Sequence, residues 1–502
     1  MLLPYIRVMN TERSDIAKRS DIAKQRDFVT FMLNGRLQKV QGQAVFSTLA
    51  DYLRYQLQMT GTKIVCAEGD CGACTVLKAQ SPDSKNLSFE AINSCICLVG
   101  QLDGAHIISI EGLEEKSQCH PAQSSMISSD ASQCGFCTPG FAMAIAGMQE
   151  KHKQLNKQDI KKQLTGNLCR CTGYDPILEA AKLCLNQKGE SLKSRYLKKA
   201  KILELKKQTQ KSKFIEDNNK IFFIPKNFKE LTIFRRKHPK STLLSAGTDL
   251  GVQINKGKSE PLIFISLHAI PELHKIKKTA QSIEVGAKVS LSELRRSLPK
   301  NAETVKNFLN IFASPQIKNM ATLAGNIANA SPIADTPAFL LALNAQLKIL
   351  RTKTKKTISI PLKDFYLAYK KTQLIPGDVI VSITFDLPKA KEKLSFKKVS
   401  QRRDLDISCV NGGFWMKLSQ KGIIEDLRFA MGGVAPYPLR LFKTETQLKG
   451  KKLDSIEIKS ALETLNKEIN PISDLRGSKE YRLFVGRKLL ENFLNESIEG
   501  DP

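Results

Sequence analysis

The chain has 502 residues, a 41% hydrophobic share, and 78 Lys and Arg against 49 Asp and Glu, a formal net charge of +29. Its length predicts three or four domains with ample cores; the lack of any eighteen-residue apolar run excludes a membrane-spanning helix, and 12 cysteines over such a length are too few for a disulfide scaffold. The charge invites a nucleic-acid partner, but no zinc-finger His pair or aromatic-studded basic strand accompanies it, so an acidic protein partner or a lysine-rich proteome accounts for the surplus.

Residues 1–26 read as a short leader. Met1-Leu-Leu-Pro-Tyr-Ile-Arg is too short and wrongly flanked for a signal peptide, so a cytoplasmic, reducing compartment is expected. Arg13-Ser-Asp-Ile-Ala-Lys18 recurs unchanged as Arg19 to Lys24, a local duplication too short for a solenoid unit.

Residues 27–108 predict a small ferredoxin-like α+β domain. Asn34-Gly35 between two apolar runs signals a hairpin, a helix is expected from Thr48 to Leu57, and strands around Thr75–Leu77 and His106–Ile110. Between them lies Cys66-Ala-Glu-Gly-Asp-Cys71-Gly-Ala-Cys74, followed after twenty residues by Cys95. A C-x4-C-x2-C run with a distant fourth cysteine is the plant-ferredoxin pattern for a 2Fe-2S cluster. Gly69 and Gly72 suit a loop wrapped tightly enough to aim backbone N–H groups at sulfur. All-cysteine zinc sites usually come as two short pairs, which this spacing fits poorly. Spacing alone leaves Cys95 and Cys97 both open as the fourth ligand. His106 reads as a core or surface histidine in a strand.

Residues 109–186 predict helices, with Phe141 to Met148 as a core stripe. Cys134-Gly-Phe-Cys137 and Cys169-Arg-Cys171 sit where helices begin or end, and Asp175-Pro176 reads as an N-cap with Pro at the first helical position. Two such turns facing each other close a second four-cysteine site, for which the spacing admits a cluster, zinc or a disulfide. Cys97, Cys119, Cys184 and Cys409 match neither spacing and read as small hydrophobes.

Residues 188–240 carry 17 Lys and Arg against 5 Asp and Glu, so 187–217 is expected as a solvated basic linker. Beyond it, Ser241 to Gly251 reads as a strand ending in a Gly-containing turn, a place to cradle a pyrophosphate; no G-x-G-x-x-G fingerprint supports a Rossmann site. Phe312-Ala-Ser-Pro-Gln, Ala321 to Asn326 and Ser331 to Asp335 form a second small-residue stretch that allows close backbone approach to a bulky cofactor.

Together, the Cys66–Cys74 run, Asn93-Ser-Cys95, Gln133-Cys-Gly-Phe-Cys-Thr-Pro-Gly140 and Gly166-Asn-Leu-Cys-Arg-Cys-Thr-Gly-Tyr174 resemble the iron–sulfur half of the molybdenum hydroxylases. The resemblance implies Cys66, Cys71, Cys74 and Cys95 as ligands of one 2Fe-2S cluster, nearer the flavin. It implies Cys134, Cys137, Cys169 and Cys171 as ligands of the other, nearer molybdenum, with Gln133 beside the pterin. The later segments resemble the FAD domain of the same family. Leu244, Ser245, Ala246, Gly247, Thr248, Asp249 and Leu250, with Thr322 and the rest of Ala321 to Gly325 and Asn326, should then wrap the pyrophosphate. Ser331 and Asp335 should contact the cofactor further along, and Phe312 should lie beside the flavin. Ser400 to Ser408 and Met431 to Pro436 resemble the C-terminal part of the flavoprotein module. Where animal members carry a lysine, Cys409 stands.

By this resemblance the fold class is α+β and multidomain. It comprises a ferredoxin-like (β-grasp) 2Fe-2S domain (27–108), a helical-bundle 2Fe-2S domain (109–186), an α/β FAD-binding domain of the molybdopterin-dehydrogenase type (218–389) and an α+β C-terminal flavoprotein domain (390–502). The architecture resembles the smaller subunit of bacterial members of the xanthine dehydrogenase branch. It implies a large molybdopterin-binding partner subunit in a heterotetramer, with NAD as acceptor. The implied activity is electron transfer from molybdenum through both clusters to FAD and NAD while hypoxanthine or xanthine becomes urate. The alternatives are the same role in an aldehyde- or N-heterocycle-oxidising sibling, or a non-enzymatic basic protein with structural zinc. No catalytic acid, base or nucleophile is nominated on this chain.

Overall fold

The computed structural model describes residues 26–80, 87–114, 118–187, 189–389 and 392–499. The duplicated hexapeptide lies outside them. Near the start, β1 (Phe28–Leu33) and β2 (Arg36–Gln41) form the expected hairpin. Its two loop residues, Asn34 and Gly35, have φ of 49° and 77°, the left-handed pair that matches strand twist. Thr48 accepts the Asp51 N–H and caps α1 (Leu49–Asp51), which runs on as a π-helix over Tyr52–Gln56. With β3 (Thr75–Ala79), β4 (Glu90–Asn93) and β5 (His106–Ile108) the sheet takes the order β2-β1-β5-β3-β4, with β1 and β5 parallel. The cysteine loop 66–74 leads directly into β3.

Four helices follow: α2 (Pro121–Ser128), α3 (Thr138–Gln149), α4 (Lys157–Leu164) and α5 (Asp175–Asn186). The α3 stripe from Gly140 to Met148 is buried throughout, and a Cβ on Gly147 would lie 2.7 Å from Leu77 of β3. Asp175 is the first helical residue; the cap position is Tyr174, held at φ +76° after Gly173. The expected Asp cap is therefore displaced by one residue, because the Cys171-Thr-Gly turn reverses the chain through two left-handed residues.

The basic stretch 187–217, expected as a solvated linker, carries regular structure from Leu192 onward. It carries α6 (Leu192–Tyr196), α7 (Lys199–Gln208) and β6 (Lys213–Asp217). Leu192, Leu197 and Leu205 are buried, Tyr196 Oη donates to the Gly112 carbonyl at 2.7 Å, and Glu150 accepts the Leu192 and Lys193 N–H groups. Leucines anchor the strap, and lysines such as Lys198, Lys199, Lys206 and Lys207 turn their charge outward, while Lys213 is buried against Asp103.

Strand β6 joins β7 (Lys220–Ile224), β8 (Thr242–Leu244) and β9 (Ile263–Ser266) in the order β6-β7-β9-β8, the last three parallel, with α8 (Phe228–Lys237) and α9 (Leu250–Asn255) in the connections. A second sheet holds β10 (Ile276–Lys278), β11 (Ser282–Gly286), β12 (Gln346–Arg351), β13 (Lys356–Pro361) and β16 (Asp378–Asp386) in the order β10-β11-β16-β12-β13. The β14 (Tyr366–Ala368) and β15 (Lys371–Thr372) pair stands apart. Between β11 and β12 run α10 (Leu291–Ser297), α11 (Glu303–Ile311), α12 (Pro315–Lys318), α13 (Leu323–Asn329) and α14 (Asp335–Ala342). The first sheet of this domain shares one core with the cysteine-loop domain: Phe222 stacks on Phe264, and Phe46 meets both edge-on or tilted.

The chain closes with an antiparallel sheet, β17 (Glu392–Val399) to β18 (Val410–Leu418), β19 (Ile424–Gly432) and β20 (Leu439–Arg440), covered by α15 (Phe442–Leu448), α16 (Ser455–Glu468) and α17 (Lys479–Glu499). Among the described residues no helix is long and apolar enough to cross a membrane.

Candidate redox centres and flavin cradle

The loop 66–74 gathers its cysteines through left-handed turns at Ala67, Gly69 and Gly72, with φ of 53°, 79° and 69°. Backbone N–H groups of Glu68 and Cys71 both reach the Cys66 sulfur at 3.5 Å. Cys95 closes the group from a 3-10 turn after β4. The four sulfurs share protons. Cys66 is held low by hydrogen bonds from Cys71 and Cys95, and Cys74 by Cys95, while the Cys71 and Cys95 thiols are pushed up in return. Cys97, left open by spacing, is buried in the apolar core, where burial raises its thiol, so it is Cys95 that joins the group.

The second group pairs Cys137 with Cys169 and Cys171 with Cys134 by hydrogen bonds. Burial, then the Cys169 contact, pushes Cys137 up to about 12. For Cys169 burial acts upward, but hydrogen bonds from Thr172 and the neighbouring backbone outweigh it and leave the thiol low. Cys134, Cys171 and Gln133 are exposed, as is Phe136, so this group lies at the surface while Cys74 and Cys95 are buried. Of the remaining cysteines, Cys184 and Cys409 are buried as expected and Cys119 is exposed.

The first group links its four cysteines through Cys66 and Cys95 and adds N–H donors aimed at sulfur, and the second links its four as two pairs; four thiols in each is the donor set an iron–sulfur cluster takes. The loops touch. Leu168 N–H, one residue before Cys169, donates to the Cys71 carbonyl at 2.9 Å. A Cβ on Gly72 would lie 2.2 Å from the Gly166 carbonyl, and one on Gly140 would lie 2.3 Å from the Gly72 carbonyl, so side chains are excluded where the backbones meet. Asn167 Nδ2 donates to the Gly72 carbonyl at 3.0 Å and its Oδ1 accepts from Gln316 Nε2 at 2.8 Å.

A cavity of about 380 Å³ opens beside the first group. Of the expected cofactor residues, Ser245, Ala246, Gly247, Thr248, Asp249, Leu250, Phe312, Ala321, Thr322, Gly325 and Asn326 line it. Gly247 has φ +77° and ends the strand-to-helix turn into α9. Ser245 Oγ and Thr322 Oγ1 lie 3.0 Å apart, joining the two cradle segments, and Thr322 also caps α13 by accepting the Gly325 N–H. Burial pushes Lys288 and Lys318, adjacent in sequence to the lining residues Ala287 and Ile317, down to about 8. Glycines and small side chains around N–H-rich turns could hold a pyrophosphate here.

Leu244, Ser331 and Asp335 are not among the residues that line this cavity. Leu244 is buried in the core of β8. The segment bounded by Ser331 and Asp335 docks the C-terminal domain: Gly433 N–H donates to the Pro332 carbonyl at 2.8 Å, and buried Asp335 accepts from Lys398 and Asn411, both at 2.9 Å. Cys409 faces Gly477 and its carbonyl accepts from Arg482. Sequence reasoning missed Gln101, which donates to the Ala246 carbonyl at 2.9 Å, and Gln253, Leu374 and Asp378–Ile380 in the cavity wall. It also missed Asn255, whose Nδ2 donates to the carbonyls of Ala67 (2.7 Å) and Cys95 (2.8 Å) and so ties the end of α9 to the first cysteine loop.

Three family descriptions match the chain. Residues 213–389 match the FAD binding domain in molybdopterin dehydrogenase, residues 395–497 the CO dehydrogenase flavoprotein C-terminal domain, and residues 109–182 a 2Fe-2S binding domain. Xanthine dehydrogenase 2 of Arabidopsis thaliana is 31% identical over 491 residues, covering 84% of this chain and 36% of that protein. Xanthine dehydrogenase 1 of the same plant is 32% identical over 492 residues, with the same coverage. Xanthine dehydrogenase of Emericella nidulans is 30% identical over 503 residues, covering 88% and 36%. The chain thus spans about a third of the length of these relatives. Among solved structures, a chain of the carbon monoxide dehydrogenase of Hydrogenophaga pseudoflava superposes with a TM-score of 0.52 at 23% identity, over 55% of this chain and 96% of that one. The chain belongs to the molybdenum hydroxylase family, of which it carries 2Fe-2S, FAD-binding and C-terminal flavoprotein domains.

Proposed function

We propose that this chain is the iron–sulfur and flavin part of a xanthine dehydrogenase, carrying electrons from the molybdenum centre of a partner subunit to NAD while hypoxanthine and xanthine are oxidised to urate. When bound, the two 2Fe-2S clusters would supply one-electron steps and FAD would store two of those electrons for hydride delivery. The chain's own residues then hold and space these groups. Cys134, Cys137, Cys169 and Cys171 would hold the cluster at the exposed end, and Cys66, Cys71, Cys74 and Cys95 the buried one. Ser245 to Leu250 with Ala321, Thr322, Gly325 and Asn326 would wrap the FAD pyrophosphate, with Phe312 beside the ring system.

The observation that carries this reading is the unbroken contact from one centre to the next. The Cys169 loop donates to the Cys71 carbonyl, and Asn255 at the end of the helix after Gly247 donates to the Cys95 carbonyl. Cys134 and Cys171 of the second group are exposed, which suits a surface that meets a partner. The choice of purine rests on the three relatives, each named a xanthine dehydrogenase.

The test is xanthine-dependent NADH formation by this chain co-purified from its native host with the large subunit it holds. NADH formation is expected. Activity with an aldehyde or another heterocycle, and none with xanthine, would move the protein to a sibling branch; Aldehyde oxidase 1 of Bos taurus is 28% identical over 522 residues. Zinc in place of iron would overturn the electron-transfer reading altogether.

A further inference from the structure

We infer that Gln316, a residue of the flavin-binding domain, is a positioning residue that fixes the spacing between the two cysteine loops and hence the electronic coupling of the two clusters. The inference rests on the iron–sulfur reading above. Gln316 is 1% exposed. Its Nε2 stands 2.8 Å from Asn167 Oδ1, 3.2 Å from Thr75 Oγ1 and 3.4 Å from the Gly166 carbonyl. Thr75 follows Cys74, and Gly166 and Asn167 precede Cys169, so one amide group from a third domain joins the backbones that carry both groups of ligands.

The surroundings leave that amide little freedom. A Cβ on Gly166 would lie 1.9 Å from Gln316 Oε1 and 2.9 Å from the Ser314 side chain, so the second loop is pressed against α12. Ser314, itself buried, caps α12 by accepting the Ile317 N–H at 3.1 Å. Asn167, buried as well, passes the link on to the Gly72 carbonyl between Cys71 and Cys74. The acceptors nearest Nε2 are Asn167 Oδ1 and Thr75 Oγ1, both on buried residues. Buried polar groups of this kind are costly to leave unpaired and define one geometry when paired.

The position asks for a donor, which separates a positioning role from space filling. Gln316→Glu keeps the shape but sets a carboxylate against two acceptors; Gln316→Met keeps the volume without the donor. The experiment uses the full chain with both clusters and FAD loaded, checked by iron and flavin content. Electron paramagnetic resonance of the partly and fully reduced protein then reads each cluster and the magnetic splitting between them.

Both variants are expected to retain wild-type signals for each cluster reduced alone and to lose or narrow the splitting in the doubly reduced protein, Glu more than Met. Stopped-flow reduction should show slower passage of electrons to the flavin by the same order. Unchanged splitting and unchanged flavin reduction in both loaded variants would overturn the assignment, as would equal effects of the two. Should both variants fail to load, Asn167→Leu, which removes the Oδ1 acceptor nearest Gln316 Nε2 at similar volume, must reproduce the loss of splitting; a wild-type spectrum there also overturns it. A wild-type protein without iron would instead sink the iron–sulfur reading itself.

Discussion

The N–H of Leu168 donates to the carbonyl of Cys71 across 2.9 Å, so the backbone that presents Cys169 is hydrogen-bonded to the backbone that presents Cys71. Contact between the loops does not make them one site, because each group closes through its own sulfur pairs.

Single ligand substitutions should therefore separate the centres. Cys71→Ser is expected to remove one of two spectroscopically distinct clusters and Cys137→Ser the other, each leaving about half the iron. Iron analysis with low-temperature electron paramagnetic resonance reads this directly. Loss of both signals from either change in a folded protein would refute two independent centres.

Gly247 stands at φ +77°, where a β-branched residue is strained by about 1–3 kcal/mol. A Cβ there would also lie 3.1 Å from Gln101 Oε1, the side chain that holds the Ala246 carbonyl. Gly247→Val should thus lose FAD by distorting the cradle turn, while both clusters remain. The ratio of flavin to iron in the purified protein is the measurement, and a normal ratio contradicts the placement of the cradle.

Asp335 and Lys398 form an ion pair whose side chains are 6% and 3% exposed. Lys398→Met leaves the carboxylate buried and short of its cation, which is expected to cost about 3–5 kcal/mol in chemical unfolding. The double variant with Asp335→Asn should recover much of that loss, since an amide still accepts from Ser408 and Asn411. No recovery would mean that the pair is not what joins α14 to β17.

His120 caps α2 by accepting the Ala122 N–H at 3.1 Å through Nδ1, which it can do only without a proton on that atom. Burial, helped by nearby Arg195, holds its pKa down to about 4. A depressed histidine binds fewer protons folded than unfolded, so its contribution to stability is full above about pH 6.5 and is lost as pH falls toward 4. His106 is lowered to about 4 by burial as well and acts in the same direction. His120→Asn keeps a capping oxygen and should flatten part of the fall in melting temperature between pH 6.5 and 4. An unchanged pH profile would show that the cap does not titrate.

The parts legible in the sequence are those set by neighbours along the chain. Asn34-Gly35 fixes a hairpin by its own dihedral preferences, and the cysteine spacing announces two thiolate groups before any fold is known. Cys95 could not be told from Cys97, because the distinction depends on which side of a 3-10 turn meets the loop. Gln101, Asn255 and Gln316 were invisible for a related reason: their partners lie 145 to 241 residues away, and nothing local marks a glutamine or asparagine as buried or bridging. The strap from Leu192 to Lys213 was misjudged because abundant lysine hides the three leucines, Leu192, Leu197 and Leu205, that anchor it from two helices and the turn between them. Asp335, placed by resemblance at the cofactor, has its contacts with Lys398, Ser408 and Asn411 in the seam with the C-terminal sheet, which nothing near it in sequence announces.

That strap has a consequence for assembly. Since Leu192, Leu197 and Leu205 pin it down along its length, the flavin half meets the iron–sulfur half as an intramolecular event, at an effective concentration set by a short, ordered tether. The polar contacts that supplement the shared apolar core can then be individually weak, because the covalent connection keeps each one re-forming before its neighbours let go.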